Sequence, residues 1–271
     1  MNEQSDYREV KTAMSDLNSR SAVEKQYATS GRLETRISIH DKYSTNKQGF
    51  GNWITEHYAF PENASVLELG CGTGSMWQGR DALIRACSAL VLSDLSEGML
   101  QTARENLRPY DSIEYRVIDI QEIPFPDHSF DAVIANMMLY HVPDLRRGLE
   151  EVRRVLKPGG TFCCATYGEH GIAEYLCGLF GLDGAAQANH SFTLQNGAAK
   201  LREVFADVRR DDYPDSLAVT DVRDLAAYVR SLTGMSALRS VPERELVSVL
   251  AANMEGGVLR IPKEYGMFIS R

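Results

Sequence analysis

The segment SVLELGCGTG, residues 65–74, decides the fold because a short apolar run is followed at once by three alternating glycines. A short apolar run that ends in turn residues is typical of a strand buried in a parallel sheet. Gly70, Gly72 and Gly74 permit the positive φ angles of a tight turn and let another molecule approach the backbone closely. The segment therefore predicts a strand that runs into a ligand-binding loop.

Predicted strands and helices alternate from this segment onward. The strands cover residues 65–69, 89–93, 113–118, 130–135 and 161–166. Helices are expected at about residues 76–86, where Gly79 interrupts the pattern, at 96–107, where Ser96 is a suitable N-cap, and at 143–156. Strands that alternate with helices form right-handed crossovers, which predicts an α/β fold with a doubly wound, mostly parallel sheet.

The two ends of the chain depart from this alternation. Residues 22–58 have a helical pattern, and residues 1–60 are expected to form a helical lid segment in front of a domain that spans 61–271. Residues 168–192 follow the fifth strand, contain many Gly and Ala, and are interpreted as an inserted cap. Further on, a strand is expected at 205–213 and a terminal hairpin at 258–261 and 265–269. The fold is expected to contain a seven-stranded sheet, with an antiparallel C-terminal strand closing it at its end.

Composition narrows the class of protein. The chain has 271 residues with 29 Lys+Arg against 37 Asp+Glu, a net charge of −8, and this argues against a nucleic-acid partner. The five cysteines have no metal-binding spacing and are interpreted as small core residues, so no metal is expected. The polar N-terminus and the absence of an apolar run of about 18 residues predict a cytoplasmic protein with no membrane span.

A glycine-rich loop alone leaves the ligand open. Asp94 lies at the end of the second predicted strand, where a carboxylate can bind both hydroxyls of a ribose. A dinucleotide fingerprint would place its third small residue at Ser75 and a pyrophosphate at the start of the next helix. That helix is short and broken by Gly79, so it is a poor platform for a pyrophosphate.

Four motifs, which follow one another along the chain, resemble those of a known protein family. Glu68-x-Gly-x-Gly-x-Gly is followed by SDLSEGML at 93–100, DIQEIPFPDHSFDAVIA at 119–135 and EEVRRVLKPGG at 150–160. This series resembles the class I S-adenosylmethionine-dependent methyltransferases, in particular the small-molecule "type 11" group that includes the ubiquinone/menaquinone enzymes. The resemblance covers about residues 66–166. It implies S-adenosylmethionine as the cofactor and methyl transfer to a small-molecule acceptor, without identifying the acceptor or its reacting N, O or C atom.

The resemblance also implies residue roles. Glu68 would bind the ammonium group of the cofactor, Asp94 its ribose and Asp119 its adenine amino group. The other residues expected at the cofactor are Gly70, Cys71, Gly72, Gly74, Leu95, Met99, Ile120 and Asn136, with Tyr27 and Arg36 closing over the methionine carboxylate from the N-terminal segment. His141 is the candidate general base, because residues 137–141 would lie at the mouth of the acceptor pocket and histidine titrates near neutral pH.

Each role has a structural alternative. Asp94 and Asp119 can be turn or strand-end carboxylates, and His141 can be a local hydrogen-bonding residue. Trp77 can belong to the core or to a wall of the acceptor pocket. The basic side chains between Arg32 and Lys47 can form a solvated helix face instead of a lid. At the level of function, a catalytically silent S-adenosylmethionine-binding module and a nicotinamide-dependent oxidoreductase remain open beside the methyltransferase.

Overall fold

The computed structural model describes residues 31–58, 60–182, 190–232 and 235–271, and the side chains of the first helix from Ile37 onward. The strands are β1 (Ala64–Leu69), β2 (Cys87–Asp94), β3 (Ile113–Val117), β4 (Phe130–Ile134), β5 (Leu156–Tyr167), β6 (Val208–Val219) and β7 (Leu259–Ser270). The α-helices are α1 (Gly31–Tyr43), α2 (Phe50–Glu56), α3 (Asp81–Arg85), α4 (Glu97–Asn106), α5 (Leu145–Val155), α6 (Ile172–Leu179), α7 (Gly197–Arg202), α8 (Val222–Ser231), α9 (Ser236–Ser240) and α10 (Glu243–Ala252). Short 3₁₀ turns cover Ser75–Trp77 and Leu139–His141.

All seven strands belong to one sheet with the order β3-β2-β1-β4-β5-β7-β6. The pairs β1–β2, β1–β4, β2–β3 and β4–β5 are parallel, and β7 runs antiparallel to both of its neighbours. The winding direction reverses between β1 and β4, and in sheets of this kind a crevice opens at that point beyond the carboxyl ends of the strands. The predicted α/β fold with a doubly wound, mostly parallel sheet is confirmed.

Both faces of the sheet are covered. Val66 and Leu67 are neighbours on β1 and are both fully buried, yet they belong to different core clusters. Val66 lies in the cluster that contains Leu100 of α4, and Leu67 lies in the one that contains Val152 of α5. Burial on two faces explains why the central strands have continuous apolar sequences rather than alternating ones.

The predicted terminal hairpin is wrong. Residues 259–270 form the single strand β7, which lies between β5 and β6 and not at the end of the sheet. Pro262 and Lys263 interrupt the apolar pattern without ending the strand. The reason is that β5 ends at Tyr167 opposite Tyr265, so the first half of β7 pairs only with β6. A proline is tolerated there because that edge of the strand needs no backbone donor.

A third core cluster lies away from the central strands and joins the first described helix to the C-terminal third of the chain. It contains Ile39 of α1, Leu176 of α6, Leu225 of α8, Leu250 of α10 and Ile261 of β7, all of them buried. Helix α6 belongs to the region predicted as an inserted cap, of which residues 183–189 lie outside the described part. Within the described part of that region, α6 packs into this cluster through Ile172, Leu176 and Cys177, whereas Phe192 belongs to a cluster on the central sheet.

Two local predictions, for the helices that follow β1 and β2, are confirmed. The Ser96 hydroxyl accepts a hydrogen bond from the backbone N–H of Met99 and caps α4. Gly79 has a φ of 69°, and α3 begins only at Asp81, so the expected break is present. None of the described helices combines the length and the apolar character that crossing a bilayer requires.

Candidate functional site

The loop after β1 is shaped by its three glycines. Gly70, Gly72 and Gly74 have φ angles of 73°, 55° and 70°, which residues other than glycine rarely adopt. A Cβ atom on Gly70 would lie 2.9 Å from Met138 Cγ, and one on Gly74 would lie 2.8 Å from Leu107 Cδ1. A Cβ atom on Gly72 would meet nothing within 4 Å. The outer glycines are therefore packed against the protein, while the backbone of Gly72 faces open space.

Asp94, the last residue of β2, connects this loop to the next one. Its Oδ2 accepts a hydrogen bond from the Gly72 N–H at 2.9 Å, and its Oδ1 accepts one from the Ser96 N–H at 2.9 Å. Burial raises the pKa of Asp94, and the backbone donors oppose that rise. Each carboxylate oxygen keeps a further lone pair, so Asp94 can hold the loop and still accept hydrogen bonds from a ligand.

Glu68 lies on β1 and is almost fully buried, at 1% exposure. The Trp77 Nε1–H donates a hydrogen bond to its Oε2 at 2.6 Å. Burial raises the pKa of Glu68 to about 7, with Trp77 acting in the opposite direction. Trp77 is itself buried and belongs to a core cluster, in agreement with its interpretation as a core residue, and its hydrogen bond orients Glu68.

The residues after β3 and on α4 occupy the next part of the same edge. Asp119 Oδ1 accepts hydrogen bonds from the backbone and the side-chain amide of Gln121, at 2.9 Å and 3.0 Å. Ile120 is buried against Gly148, where an added Cβ would lie 3.3 Å from its side chain. Met99 is buried and Leu95 is partly exposed. These residues thus follow the carboxyl ends of β2 and β3, at the same edge of the sheet as the glycine loop.

Asn136 lies just after β4, on the other side of the crevice. Its Nδ2 donates to the Tyr58 hydroxyl at 2.6 Å, while its Oδ1 is buried and has no hydrogen-bond partner among the described residues. Burial raises the pKa of Tyr58 well above its usual value, and the nearby Glu68 carboxylate acts in the same direction. Tyr58 therefore stays a neutral phenol beside both residues. The sequence contained no signal for it, because 78 positions separate Tyr58 from Asn136.

His141 lies at the end of the 3₁₀ turn that follows Asn136. Its ring is 4.6 Å from that of Tyr140, and Tyr140 lies 4.7 Å from the ring of Tyr167 at the end of β5. The structure thus brings His141 to the same edge of the sheet as the glycine loop. Its role as a general base stays a prediction.

The N-terminal candidates are only partly described. Tyr27 lies outside the described residues, and of Arg36 only the backbone, within α1, is described. Further along α1, Lys42 pairs with Asp224 of α8, and the Tyr43 hydroxyl donates to the same carboxylate at 2.5 Å. The end of α1 is therefore docked on the domain on the side of the buried Ile39 and Tyr43, while Asp41 and Lys42 on its other side are exposed.

A cross-strand row of tyrosines was missed by sequence reasoning. Tyr167, Tyr265 and Tyr213 are in register on the neighbouring strands β5, β7 and β6. His40 of α1 lies against the row, with its ring 5.7 Å from that of Tyr265 and 6.1 Å from that of Tyr228 on α8. These residues come together only because β7 lies between β5 and β6. The predicted terminal hairpin did not include this strand order.

Comparison with known proteins agrees with the fold and with the central motifs. Residues 67–164 match the family described as a methyltransferase domain. A demethylmenaquinone methyltransferase of Clavibacter sepedonicus is 42% identical over 95 residues, which are 35% of this chain and 38% of that protein. A malonyl-[acyl-carrier protein] O-methyltransferase of Methylococcus capsulatus is 32% identical over 181 residues, 64% of this chain and 65% of that protein.

Among solved structures, the YcgJ protein from Bacillus subtilis has a TM-score of 0.56 at 18% identity, and the match covers 81% of this chain and 96% of that one. The chain spans less than two thirds of the length of either curated relative. The resemblance to class I S-adenosylmethionine-dependent methyltransferases of the small-molecule group is confirmed for the central part of the chain, from the first strand to the fifth.

Proposed function

We propose that this protein, whose residues 67–164 form a methyltransferase domain, transfers a methyl group from S-adenosylmethionine to a small molecule. The observation that carries the proposal is the set of groups that the carboxyl ends of β1, β2 and β4 bring to one edge of the sheet. The backbone of Gly72 faces open space beside the carboxylate of Asp94, and Glu68 is buried near the end of β1. The buried amide oxygen of Asn136, just after β4, has no hydrogen-bond partner among the described residues.

The residues present fit this cofactor on two observations. The open space at Gly72 leaves room for a ligand against the loop, and the buried Asn136 Oδ1 lacks a hydrogen-bond partner among the described residues. In this assignment Asp94 binds the ribose hydroxyls with the lone pairs that Gly72 and Ser96 do not use. Glu68 faces the ammonium group, and Asp119 with Ile120, Leu95 and Met99 borders the adenine. Gly70, Cys71 and Gly74 form the rest of the loop.

S-adenosylmethionine supplies a methyl group that is already activated on a sulfonium, so the protein has mainly to orient the acceptor. Alignment of two reactants accounts for about 7–11 kcal/mol of a barrier. Asn136, fixed by Tyr58, would orient the reacting groups at the end of β4, where water is excluded by burial. His141 would accept the proton of an oxygen or carbon acceptor, whereas a neutral amine needs no base.

The N-terminal segment would close this site. Tyr27 and Arg36 are proposed to cover the methionine carboxylate, which a guanidinium can bind with two hydrogen bonds. Support comes from the end of α1, which contacts the domain through Lys42 and Tyr43 on Asp224. Residues 1–60 would then act as the lid of a domain that spans 61–271.

A cytoplasmic location is proposed from the sequence alone.

The acceptor is proposed to be a small molecule and not a nucleic acid. The two curated relatives are named for demethylmenaquinone and for a malonyl group on a carrier protein, which are chemically unlike. Because the chain spans only 38% and 65% of these relatives, neither acceptor is carried over to it.

The experiment is a two-step assay on the full chain. Calorimetry should detect binding of S-adenosylmethionine and S-adenosylhomocysteine but not of NAD. Incubation with S-adenosylmethionine and a panel of small metabolites should then give a product that is one methylene heavier by mass spectrometry. Absence of cofactor binding would overturn the proposal, and binding without a product from any acceptor would favour the silent binding module.

A further inference from the structure

The sequence motif EEVRRVLKPGG at 150–160 lies outside the candidate site. Its first half belongs to α5, where Glu151 and Arg154 form an ion pair at 2.7 Å. Their side chains are 22% and 30% exposed, so the pair lies partly inside the protein. Arg154 lowers the pKa of Glu151 although burial opposes this effect, and Glu151 therefore stays ionised at neutral pH.

This ion pair binds the backbone of the loop that follows β3. The Ile123 N–H donates to Glu151 Oε2 at 2.9 Å, and the Ile123 carbonyl accepts from Arg154 Nη2 at 2.8 Å. Arg154 Nη1 donates to the Phe125 carbonyl at 2.8 Å and to the Asp127 carboxylate at 2.9 Å. Hydrogen bonds to ionised groups are about twice as strong as those between neutral groups. Two charged side chains of one helix thus fix both backbone groups of Ile123.

The same helix also supports the start of this loop. Gln121 Oε1 accepts a hydrogen bond at 3.0 Å from the backbone N–H of Asp144, the N-cap of α5. Ile120 packs on Gly148, where an added Cβ would lie 3.3 Å from its side chain. Residues 120–125 are therefore held along α5 from its N-cap to its last turn.

The loop begins at Asp119, which the proposed function assigns to the adenine amino group. Its Oδ1 accepts from the backbone and the side-chain amide of Gln121, and its carbonyl accepts from the Glu122 N–H at 2.9 Å. Gln121 Nε2 also lies 3.2 Å from Oδ2, which keeps a further lone pair for a ligand. The orientation of this carboxylate thus depends on the two residues directly before Ile123.

We propose that Glu151 and Arg154 are positioning residues for recognition of the adenine, because they fix the loop that directs the Asp119 carboxylate at the amino group of the cofactor. Both residues act through the loop and not by contact with the cofactor. This inference rests on the proposed methyltransferase function and adds the residues that determine its selectivity for adenine.

The test compares two ligands that differ only in the adenine amino group. S-adenosylhomocysteine and its 6-deamino analogue, in which a hydrogen atom replaces that amino group, are titrated into the full chain by calorimetry. The wild-type protein should bind S-adenosylhomocysteine about tenfold more tightly, since the analogue cannot donate to the Asp119 carboxylate. In Arg154→Met this preference should fall to about threefold or less, with most of the loss in the affinity for S-adenosylhomocysteine.

Three further variants refine the comparison. Glu151→Gln removes the ion pair but keeps an oxygen for the Ile123 N–H, and it should reduce the preference at least twofold. Arg154→Lys keeps the charge without the planar set of donors, so it should retain only part of the preference. Arg146→Met is the matched control, because Arg146 lies on the same helix and pairs with Glu150 at the surface, with its side chain 71% exposed.

Amide hydrogen exchange separates a loosened loop from a general loss of stability. In ligand-free Arg154→Met, exchange at residues 119–125 should be faster than in the wild-type protein. Exchange at residues 70–74 and 94–99, after β1 and β2, should be unchanged. Faster exchange in all three segments would show a general loss of stability and overturn the inference.

The affinity ratio decides between a positioning role and a merely structural one. A structural role predicts an equal fall in the affinities for both ligands, and this result would overturn the inference. So would the absence of a preference in the wild-type protein, a fall in Arg146→Met as large as in Arg154→Met, or an undiminished preference in folded Arg154→Met. If Arg154→Met does not fold, an undiminished preference in Glu151→Gln overturns it.

The same titrations keep the two proposals apart. Absence of S-adenosylhomocysteine binding to the wild-type protein refutes the proposed function itself. Wild-type binding with an affinity ratio that Arg154 and Glu151 do not influence refutes only their positioning role.

Discussion

At the scale of single residues, Asp94 both supports the loop and is proposed to bind the ligand. Asp94→Ala should weaken S-adenosylhomocysteine binding at least tenfold. It should also lower the free energy of unfolding by about 1–3 kcal/mol, because the N–H groups of Gly72 and Ser96 lose their acceptor. Calorimetry and thermal denaturation measure the two effects. Asp81→Ala is the control, since Asp81 is more than half exposed in a surface ion pair. Unchanged affinity in folded Asp94→Ala would remove Asp94 from the site.

Glu68 makes a second prediction at this scale, which concerns pH. Its pKa is raised from 4.5 to about 7, so the folded protein binds this proton more tightly than the unfolded chain. The free energy of unfolding should therefore fall as the pH rises from about 4.5 to about 7, by about 2–4 kcal/mol in total. Glu68→Gln should remove this part of the pH dependence.

Chemical denaturation of both proteins at several pH values measures the difference, with Glu62→Gln at an exposed turn as the control. Parallel pH profiles for Glu68→Gln and the wild-type protein would contradict the raised pKa. If Glu68 faces a cationic ammonium, ligand binding near pH 6 should also release a proton. Calorimetry in buffers of different ionisation enthalpy detects that release.

At the scale of elements, substitutions at different glycines of the loop after β1 should affect protein stability and ligand binding to different extents. Gly72→Ala should lower the free energy of unfolding by only about 1 kcal/mol, because the φ of 55° is unfavourable but the space is open. It should weaken S-adenosylhomocysteine binding at least tenfold if that space belongs to the ligand. Gly256→Ala is a matched control, since Gly256 has a φ of 57°, equally open space and a position outside the loop.

Gly74→Ala should behave differently from both. Its Cβ would lie 2.8 Å from Leu107, so overpacking should cost about 1–3 kcal/mol in addition to the strain. Thermal denaturation of Gly72→Ala, Gly256→Ala and Gly74→Ala checks that Gly74→Ala is the least stable of the three. Wild-type affinity in Gly72→Ala would show that the open space is not where the cofactor binds.

At the scale of the whole molecule, the proposed site lies at one edge of the sheet. Saturating S-adenosylhomocysteine should slow amide hydrogen exchange at residues 70–74, 94–99, 119–120 and 136–138, the segments at the carboxyl ends of β1, β2, β3 and β4. Exchange at residues 157–160 and 206–208, at the opposite edge of the sheet, should remain unchanged. Mass spectrometry of peptic peptides measures both, and slowing that is confined to the second pair would place the ligand elsewhere.

The sequence by itself determined the part of the fold that local patterns encode. The apolar runs of β1, β2 and β4 and the glycines at 70, 72 and 74 predicted the strand-loop-helix arrangement, because a buried parallel strand needs a continuous apolar sequence and a positive φ needs glycine. Asp94 could be placed at the site for the same reason, since it ends a strand whose position was already known.

Only the tertiary structure decided how the C-terminal third is arranged. Lys263 and Pro262 look like a turn in the sequence, yet they continue β7, because Asp215 on β6 neutralises the lysine and β5 stops before the proline. The partners Tyr58 and Asn136, and likewise His40 and Tyr265, are 78 and 225 positions apart. Contacts over such distances leave no periodic signal in the sequence, since they depend on the order in which the strands assemble.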